Sequence, residues 1–227
     1  VNSSPLSGDP RPGNAKFKKL TPVDENSANP YTLTDDDRTV IGNTTPKFSG
    51  GFGLNATFKG FDVSAFFNFM YDFDVFNANK VMMTTWASNN YNNFSMDISA
   101  AKRWRNFDDM GNEIRYSPEI LAEFNKNATM WNPTSIGRPI AMSYAVEDGS
   151  FLRLNTATIG YTLPRAWTNK VGLSRVRFYA SGYNLFTITG YSGYDPEVDI
   201  ATGLTPNIDN NRYPRSRTYT FGVQLTF

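Results

Sequence analysis

The sequence contains no cysteine and no histidine. That excludes Ser-His-Asp and Cys-His nucleophilic catalysis, a disulfide frame, and the ordinary zinc, haem and iron–sulfur ligand sets. Without thiols, the redox compartment leaves no mark on the chain. No stretch of about 18 apolar residues is present, so a membrane-crossing helix is ruled out. Charge is balanced as well: 22 Lys+Arg against 21 Asp+Glu leave a net +1, which supplies no basic field for nucleic acid. There is no start methionine and no charged-then-apolar leader, and Val1-Asn2-Ser3-Ser4-Pro5 reads as the interior of a longer protein.

What is present in quantity is aromatic. The 227 residues include 18 Phe, 12 Tyr and 4 Trp, although the mean hydropathy is negative. A chain of this length has room for one or two domains and a substantial core. The dominant period is two. Phe48, Gly50, Phe52, Leu54, Ala56 and Phe58 alternate with Ser49, Gly51, Gly53, Asn55 and Thr57. After Lys59-Gly60, short enough for a two-residue turn, Phe61, Val63, Ala65, Phe67, Phe69 and Tyr71 alternate with Asp62, Ser64, Phe66, Asn68 and Met70.

Three further strands are expected. One covers Phe151 to Leu163, with Ala157, Ile159, Tyr161 and Leu163 on one face; Leu152 and Leu154 fall on the other, which suggests a bulge. A second runs from Val176 to Leu185, placing Val176, Phe178 and Ala180 opposite Arg177, Tyr179 and Ser181. In the last, Tyr219, Phe221, Val223, Leu225 and Phe227 alternate with Thr218, Thr220, Gly222, Gln224 and Thr226.

Connection lengths alternate between short (59–60, about 164–175) and long (1–47, 72–150, 186–217). Long strandless loops are unusual in a soluble sandwich, whereas a membrane barrel has short periplasmic turns and long extracellular loops. Strands of about ten residues, rising roughly 3.3 Å per residue at a tilt near 45°, cross about 25 Å of hydrocarbon. Phe48, Phe58, Phe61, Tyr71, Tyr219 and Phe227 would then form interfacial girdles. Alternation alone is equally compatible with core aromatics of a soluble β-domain.

Specific segments carry a resemblance. Arg38-Thr-Val-Ile-Gly42, Pro46-Lys-Phe-Ser-Gly-Gly51, Asp148-Gly-Ser-Phe-Leu-Arg-Leu154, Gly160-Tyr-Thr-Leu-Pro164, Asn184-Leu-Phe-Thr-Ile-Thr189, Tyr191-Ser-Gly-Tyr-Asp-Pro-Glu197 and Arg217-Thr-Tyr-Thr-Phe-Gly-Val-Gln-Leu-Thr-Phe227 follow one another in order. Together they resemble the C-terminal end of SusC/RagA-type TonB-dependent outer-membrane transporters of Bacteroidota. The likeness covers most of 38–71 and 148–227; 72–147 is similar only loosely, as a variable loop is. It implies an all-β fold, the last strands of an about 22-strand antiparallel transmembrane barrel with long extracellular loops and an N-terminal plug. It further implies energy from TonB, a SusD-like lipoprotein lid over the extracellular mouth, and oligosaccharide or oligopeptide cargo. Such a terminal strand, with Phe221 and Phe227, is the signal that the barrel-assembly machinery reads. One departure is clear: a family Asp-x-Asn-Gly-Asp-Gly loop is replaced here by Thr21 to Pro30 and Asp35-Asp36-Asp37, losing the glycines and ligand spacing. A cation held by the three Asp and a solvated acidic turn both remain open.

The expected organisation is an extracellular loop over 1–47 and a transmembrane hairpin over 48–71. A long extracellular loop follows over 72–150, with a short helix near 117–127, and transmembrane strands three and four lie within 151–185. Residues 186–217 form another extracellular loop, and 218–227 the terminal strand. The helix rests on Ser117 as N-cap, Pro118 at N1 and Glu119 in the first turn, with Ile120, Leu121 and Phe124 as its apolar side. Its loop contains Trp86, Trp104 and Trp131, which could touch substrate or lid, or form the loop's own core. Arg165, Trp167 and Lys170 read as an interfacial anchor.

No chemical constellation survives. Ser99-Ala-Ala-Lys102 lacks the partner motifs of serine acyl transfer, and nothing fixes the spacing of Asp35, Asp36, Asp37, Asp108 and Asp109 for glycoside hydrolysis. No catalytic residue, cofactor or metal is assigned, and the chain is not expected to be an enzyme. Two functions remain: a segment of an active importer, with Ser49, Asn55, Thr57, Asp62, Ser64, Asn68, Thr218, Thr220 and Gln224 facing inward beside the plug, or a soluble secreted β-rich glycan-binding module. The partners implied by the first are the rest of the barrel and its plug, the SusD-like lipoprotein, TonB, the assembly machinery and the lipid bilayer.

Overall fold

Lys59 and Gly60 both take positive φ, 46° and 88°, which is the primed turn geometry whose twist matches two flanking strands. In the computed structural model this turn joins β1 (Phe48–Phe58) to β2 (Phe61–Tyr71). The chain continues with β3 (Asp74–Asn77), β4 (Val146–Asp148), β5 (Phe151–Thr162), β6 (Arg175–Thr189), β7 (Ile208–Asp209) and β8 (Thr218–Thr226). Residues 12–23, 25–27, 30, 32–86, 93–135, 140–198 and 206–227 are described. They fall into two units, one of Val1–Ile41 with Asn77–Ala145 and one of Gly42–Phe76 with Val146–Phe227.

In the second unit the five long strands form one sheet in the order β1-β2-β5-β6-β8, antiparallel throughout. Phe61, Tyr161, Phe178 and Val223 stand in one register row. Both short connections and Phe227 therefore lie at the same end of the sheet, and the long connections at the other.

The expected bulge is real. Register slips between Phe66 and Phe67 on β2 and between Leu154 and Thr156 on β5, leaving Asn155 as the extra residue. β6 answers with its own kink, because Tyr183 pairs with Thr156 but Phe186 with Leu154, and Asn184 takes φ 52°. Beyond the kink β6 runs on to Thr189 rather than stopping at Leu185, and β5 ends at Thr162, one residue before Leu163. Past the bulge Leu152 and Leu154 pair with Ile188 and Phe186, which explains why they are out of phase in the sequence.

One face of the sheet is apolar, and much of it is exposed among the described residues. Phe221 is 80% exposed, Tyr219 63% and Val223 54%. The opposite face carries Asp62, Ser64, Asn68, Thr156, Thr158, Arg177, Ser181, Thr220 and Gln224 by register. Phe66 also stands on that face. It pairs with Gly53, and its ring lies over Gly51, where a Cβ would come within 2.8 Å of Phe66 Cζ; the glycines of β1 make that room.

The expected loops 72–150 and 186–217 are not strandless. β4, β3 and β7 form a three-stranded sheet at the long-connection end. Its core joins Phe73, Val75, Phe151, Tyr191 and Val198, with Met70 packed against them. Phe151 and Met70 face each other in register on the polar side, so this small core grows out of the polar face.

The first unit is tied by bonds between distant segments, such as Asn132 N to Gly13 O and Trp86 N to Pro133 O, both 2.8 Å. α1 (Ala78–Met82) is capped by Asn77, whose side chain accepts from Lys80 N. α2 (Pro118–Phe124) is shorter than the expected helix, and Ser117 makes no side-chain cap. Leu121 is buried and the Arg105 guanidinium covers Phe124 at 4.5 Å, but Ile120 is 54% exposed and does not belong to the apolar side. The buried Asn125 ends α2: its side chain accepts from Arg105 N and donates to the carbonyls of Arg105 and Leu121.

Candidate functional site

On the polar face near the short-turn end, side chains lie flat along the sheet. Arg177 of β6 reaches across β5 to Asp62 of β2, donating from Nε at 2.9 Å and from Nη2 to the second oxygen. The strand it crosses has Gly160 at that point, and a Cβ there would sit 2.5 Å from Arg177 Nη2 and 2.6 Å from both Asp62 oxygens. Tyr179 similarly lies over Gly222, and Thr158 and Ser181 bond at 2.8 Å. The result is a level wall of paired polar groups.

At the long-connection end of the same face a second ionic group is built on Arg153, which is 1% exposed. Its Nε donates to Thr187 Oγ1 at 3.0 Å and its Nη2 to Asp195 Oδ1. Nη1 stands 3.0 Å from Glu197 Oε2, yet neither atom meets hydrogen-bond alignment, so this contact is ionic and undirected. Arg215 closes the group, donating to Glu197 Oε1 at 2.7 Å. Two cations and two carboxylates thus bind segment 190–198 to the wall. Other bonds add to the hold: Ser192 donates twice to Glu147, and Tyr191 OH donates to Asp209 Oδ2 at 2.7 Å. Burial, then the bond to Asp209 and its charge, push the Tyr191 hydroxyl above its ordinary titration range. No role for Arg153 was legible in the sequence; the available signal was a lone Arg among Phe and Leu in a strand, with Asp195 and Glu197 following a turn.

The residues singled out from sequence are dispersed. Trp131 packs inside the first unit, its ring edge-on to Tyr144 at 4.8 Å and its Nε1 donating to Thr84 O at 3.2 Å. Trp104 lies against Gly13, where φ is 89° and no Cβ could fit. Trp86 is 49% exposed and leans on Phe94 at 5.7 Å. Phe48 and Tyr71 are exposed and stack at the long-connection end, while Phe58 and Phe61 flank the short turn. Tyr219 pairs with Gly182, and Phe221 and Phe227 stand exposed.

The acidic residues have structural work. Asp35 and Asp36 are exposed, but Asp37 accepts from the backbone N–H groups of Leu20, Thr21 and Thr34, from Thr21 Oγ1, and from Lys19 Nζ. The Thr21 and Thr34 amides hold its carboxyl far below the usual range. Asp108 accepts from Met110 N and Asn112, Asp109 takes Arg105, and Lys102 pairs with Asp97. Among the described residues no group of three Asp or Glu is placed to hold a metal.

No protein-family model matches the chain. It is 32% identical over 228 residues to the TonB-dependent receptor P3 of Formosa agariphila, across 98% of this chain and 20% of that protein. Against the TonB-dependent receptor SusC of Bacteroides thetaiotaomicron the identity is 32% over 164 residues, 66% of this chain and 15% of SusC. The fold resembles the RagAB peptide importer in its closed-closed state, with a TM-score of 0.64 and 26% identity over 86% of this chain and 19% of that one. The chain therefore spans no more than 20% of the length of these proteins.

Arg153→Met in the whole protein should strand the Asp195 carboxylate, leave Glu197 with Arg215 alone and release segment 190–198, a loss of about 3–5 kcal/mol locally. Hydrogen exchange across 190–198 measures it, and unchanged protection would refute the role. Asp37 supplies the pH test. Its folded pKa lies below the unfolded value of about 4, so its hold on Leu20, Thr21 and Thr34 is complete above that range. The hold is lost only as pH falls through the depressed folded value. Exchange of peptides spanning 18–22 should thus stay slow at pH 4 in the wild type and become fast at any pH in Asp37→Ala.

Proposed function

The chain is a segment of a SusC/RagA-type TonB-dependent transporter, a β-barrel protein of the outer membrane, and on that premise we propose how its parts are used. The apolar face meets lipid, and the polar face lines the barrel interior beside the plug. The short-turn end faces the periplasm, and the long connections lie outside the cell. The whole protein is an active importer of oligosaccharides or oligopeptides, energised by TonB and covered by a SusD-like lipoprotein. Likeness to a peptide importer supports import.

One observation carries the reading: a five-strand antiparallel sheet with hydrogen bonds and an ion pair along its polar face and, on its apolar face, Phe221, Tyr219 and Val223 standing exposed. A soluble glycan-binding module would have to shelter that face, because large continuous apolar patches are rare on soluble monomers. Transport needs no covalent step from these residues. In the wall Asp62 is paired with Arg177 and Ser181 with Thr158, so a plug can slide or unfold beside these pairs without breaking them. At the mouth, segment 190–198 is fixed to the wall by Arg153. Among the three loop tryptophans, Trp86 has the ring best presented to cargo or lid; Trp104 and Trp131 are engaged in packing.

Uptake of labelled oligosaccharide and oligopeptide pools by cells making the full-length protein tests this. Uptake that collapses with the proton-motive force, and falls severalfold in Trp86→Ala, is the expected outcome. A full-length protein that fractionates as soluble without detergent would overturn it.

The last strand gives a separate expectation. Its Phe221 and Phe227 are the signal that the barrel-assembly machinery reads. Phe221→Arg places a charge on the lipid face at a cost of about 2–4 kcal/mol near mid-membrane, and removal of Phe227 deletes the terminal ring. Both should reduce the heat-modifiable, membrane-inserted fraction; wild-type insertion of both variants would refute the role.

A further inference from the structure

The apolar face is not uniformly studded with rings. Near the short-turn end it holds a furrow of about 470 Å³ bounded by Phe61, Tyr161 and Phe178 in one register row and by Ile159 and Phe221 in the next. Ala180, standing between Ile159 and Phe221, forms its floor. The depression follows from side-chain size alone: where neighbours in the row project long or branched side chains, Ala180 projects a methyl group.

Beside this furrow the short connections are cationic. Lys59 occupies the β1–β2 turn, and the β5–β6 connection supplies Arg165 and Lys170, with no Asp or Glu anywhere in 163–175. All three are exposed, and among the described residues no ion pair engages them. Lys59 Nζ lies 5.2 Å over the Phe58 ring, at the edge of the apolar surface. Trp167 and Val171, in the same connection, are 61% and 70% exposed. On the polar face the charges are paired differently: Asp62 takes Arg177, Asp195 and Glu197 take Arg153, and Glu197 takes Arg215. Lys59, Arg165 and Lys170 are left as uncompensated cations where the furrow meets the sheet's end.

We propose that this is a binding site for one anionic phospholipid of the periplasmic leaflet, with an acyl chain in the Ala180 furrow and the headgroup phosphate among Lys59, Arg165 and Lys170. An apolar slot that opens on unpaired cations is complementary to a molecule with a hydrocarbon tail and a negative head. Exposed Trp167 suits the boundary between them. The site rests on the orientation proposed above, with the short-turn end toward the periplasm.

The test uses the full-length transporter in mild detergent, with retained lipid counted by native mass spectrometry. Phosphatidylglycerol and phosphatidylethanolamine carrying identical acyl chains are offered in turn. At least tenfold preferential retention of one phosphatidylglycerol is expected. The double variant Arg165→Glu, Lys170→Glu should reduce it to the phosphatidylethanolamine level, and Ala180→Trp, which fills the furrow, should reduce retention of both lipids. Equal retention of the two lipids by the wild type would overturn the proposal, as would charge variants that retain lipid normally. Inorganic phosphate displacing the lipid at millimolar concentration would show a headgroup site without the furrow and would also overturn it, as would a dimer seated on this face whose dissociation by Ala180→Trp leaves lipid retention unchanged. Heat-modifiability of each variant reports insertion separately, so a failed membrane assignment is distinguishable from a failed lipid site.

Discussion

Backbone amides and carbonyls in hydrocarbon have no water to bond, and everything else in the sheet depends on that constraint. The five long strands satisfy it by pairing each with the next along the chain, from β1 to β8. β1 and β8 each have one neighbour among the described residues. In a bilayer those outer edges need further strands. The chain's match to no more than 20% of its relatives' length agrees with that need. Once pairing is compulsory, the side chains are sorted by alternation alone, and each strand presents one row to lipid and one to the interior.

The interior row is where the sequence spends its unusual residues. Glycine at 160 and at 222 allows Arg177 and Tyr179 to lie flat instead of projecting inward. A guanidinium that reaches over a neighbouring strand to a carboxylate ties three strands with one contact, β6 to β2 across β5. The two charges of that contact are thereby paired within the sheet. The mouth is organised differently: there the charges do not lie along the wall but hold a connecting segment against it.

Period two made the β1–β2 hairpin and β8 legible, because one face of each is continuous and nothing interrupts the alternation. Register between strands was recoverable only where a two-residue turn sets it. The small sheet of β3, β4 and β7 was invisible for a physical reason. Its strands are two to four residues long, too short to show a period, and they pair across long sequence separations. Asp37 was unreadable in the same way: a carboxylate serving distant amides has the same local sequence as a solvated one. The helix near 117 was found from its proline and acidic start, but Ile120 was placed on the wrong side because a seven-residue helix has too few turns to define a face.

The bulge at Asn155 joins these themes. In an unbroken β5, Thr156 and Thr158 on the interior row would place Leu154 and Leu152 there too, and Arg153 would point to lipid. The single extra residue reverses the phase. Leu154 then pairs with Phe186 and Leu152 with Ile188 on the apolar side, while Arg153 pairs with Thr187 on the polar side. An arginine on the lipid face of a barrel costs about 2–4 kcal/mol near mid-membrane, less near the interfaces. Turned inward, it meets Asp195 and Glu197 instead. β6 can follow the slip only by taking up its own irregularity at Asn184, one of the few residue types that tolerates positive φ. The bulge that the strand pattern suggested is therefore the device that brings Arg153 to the interior, and the anchoring of segment 190–198 follows from it.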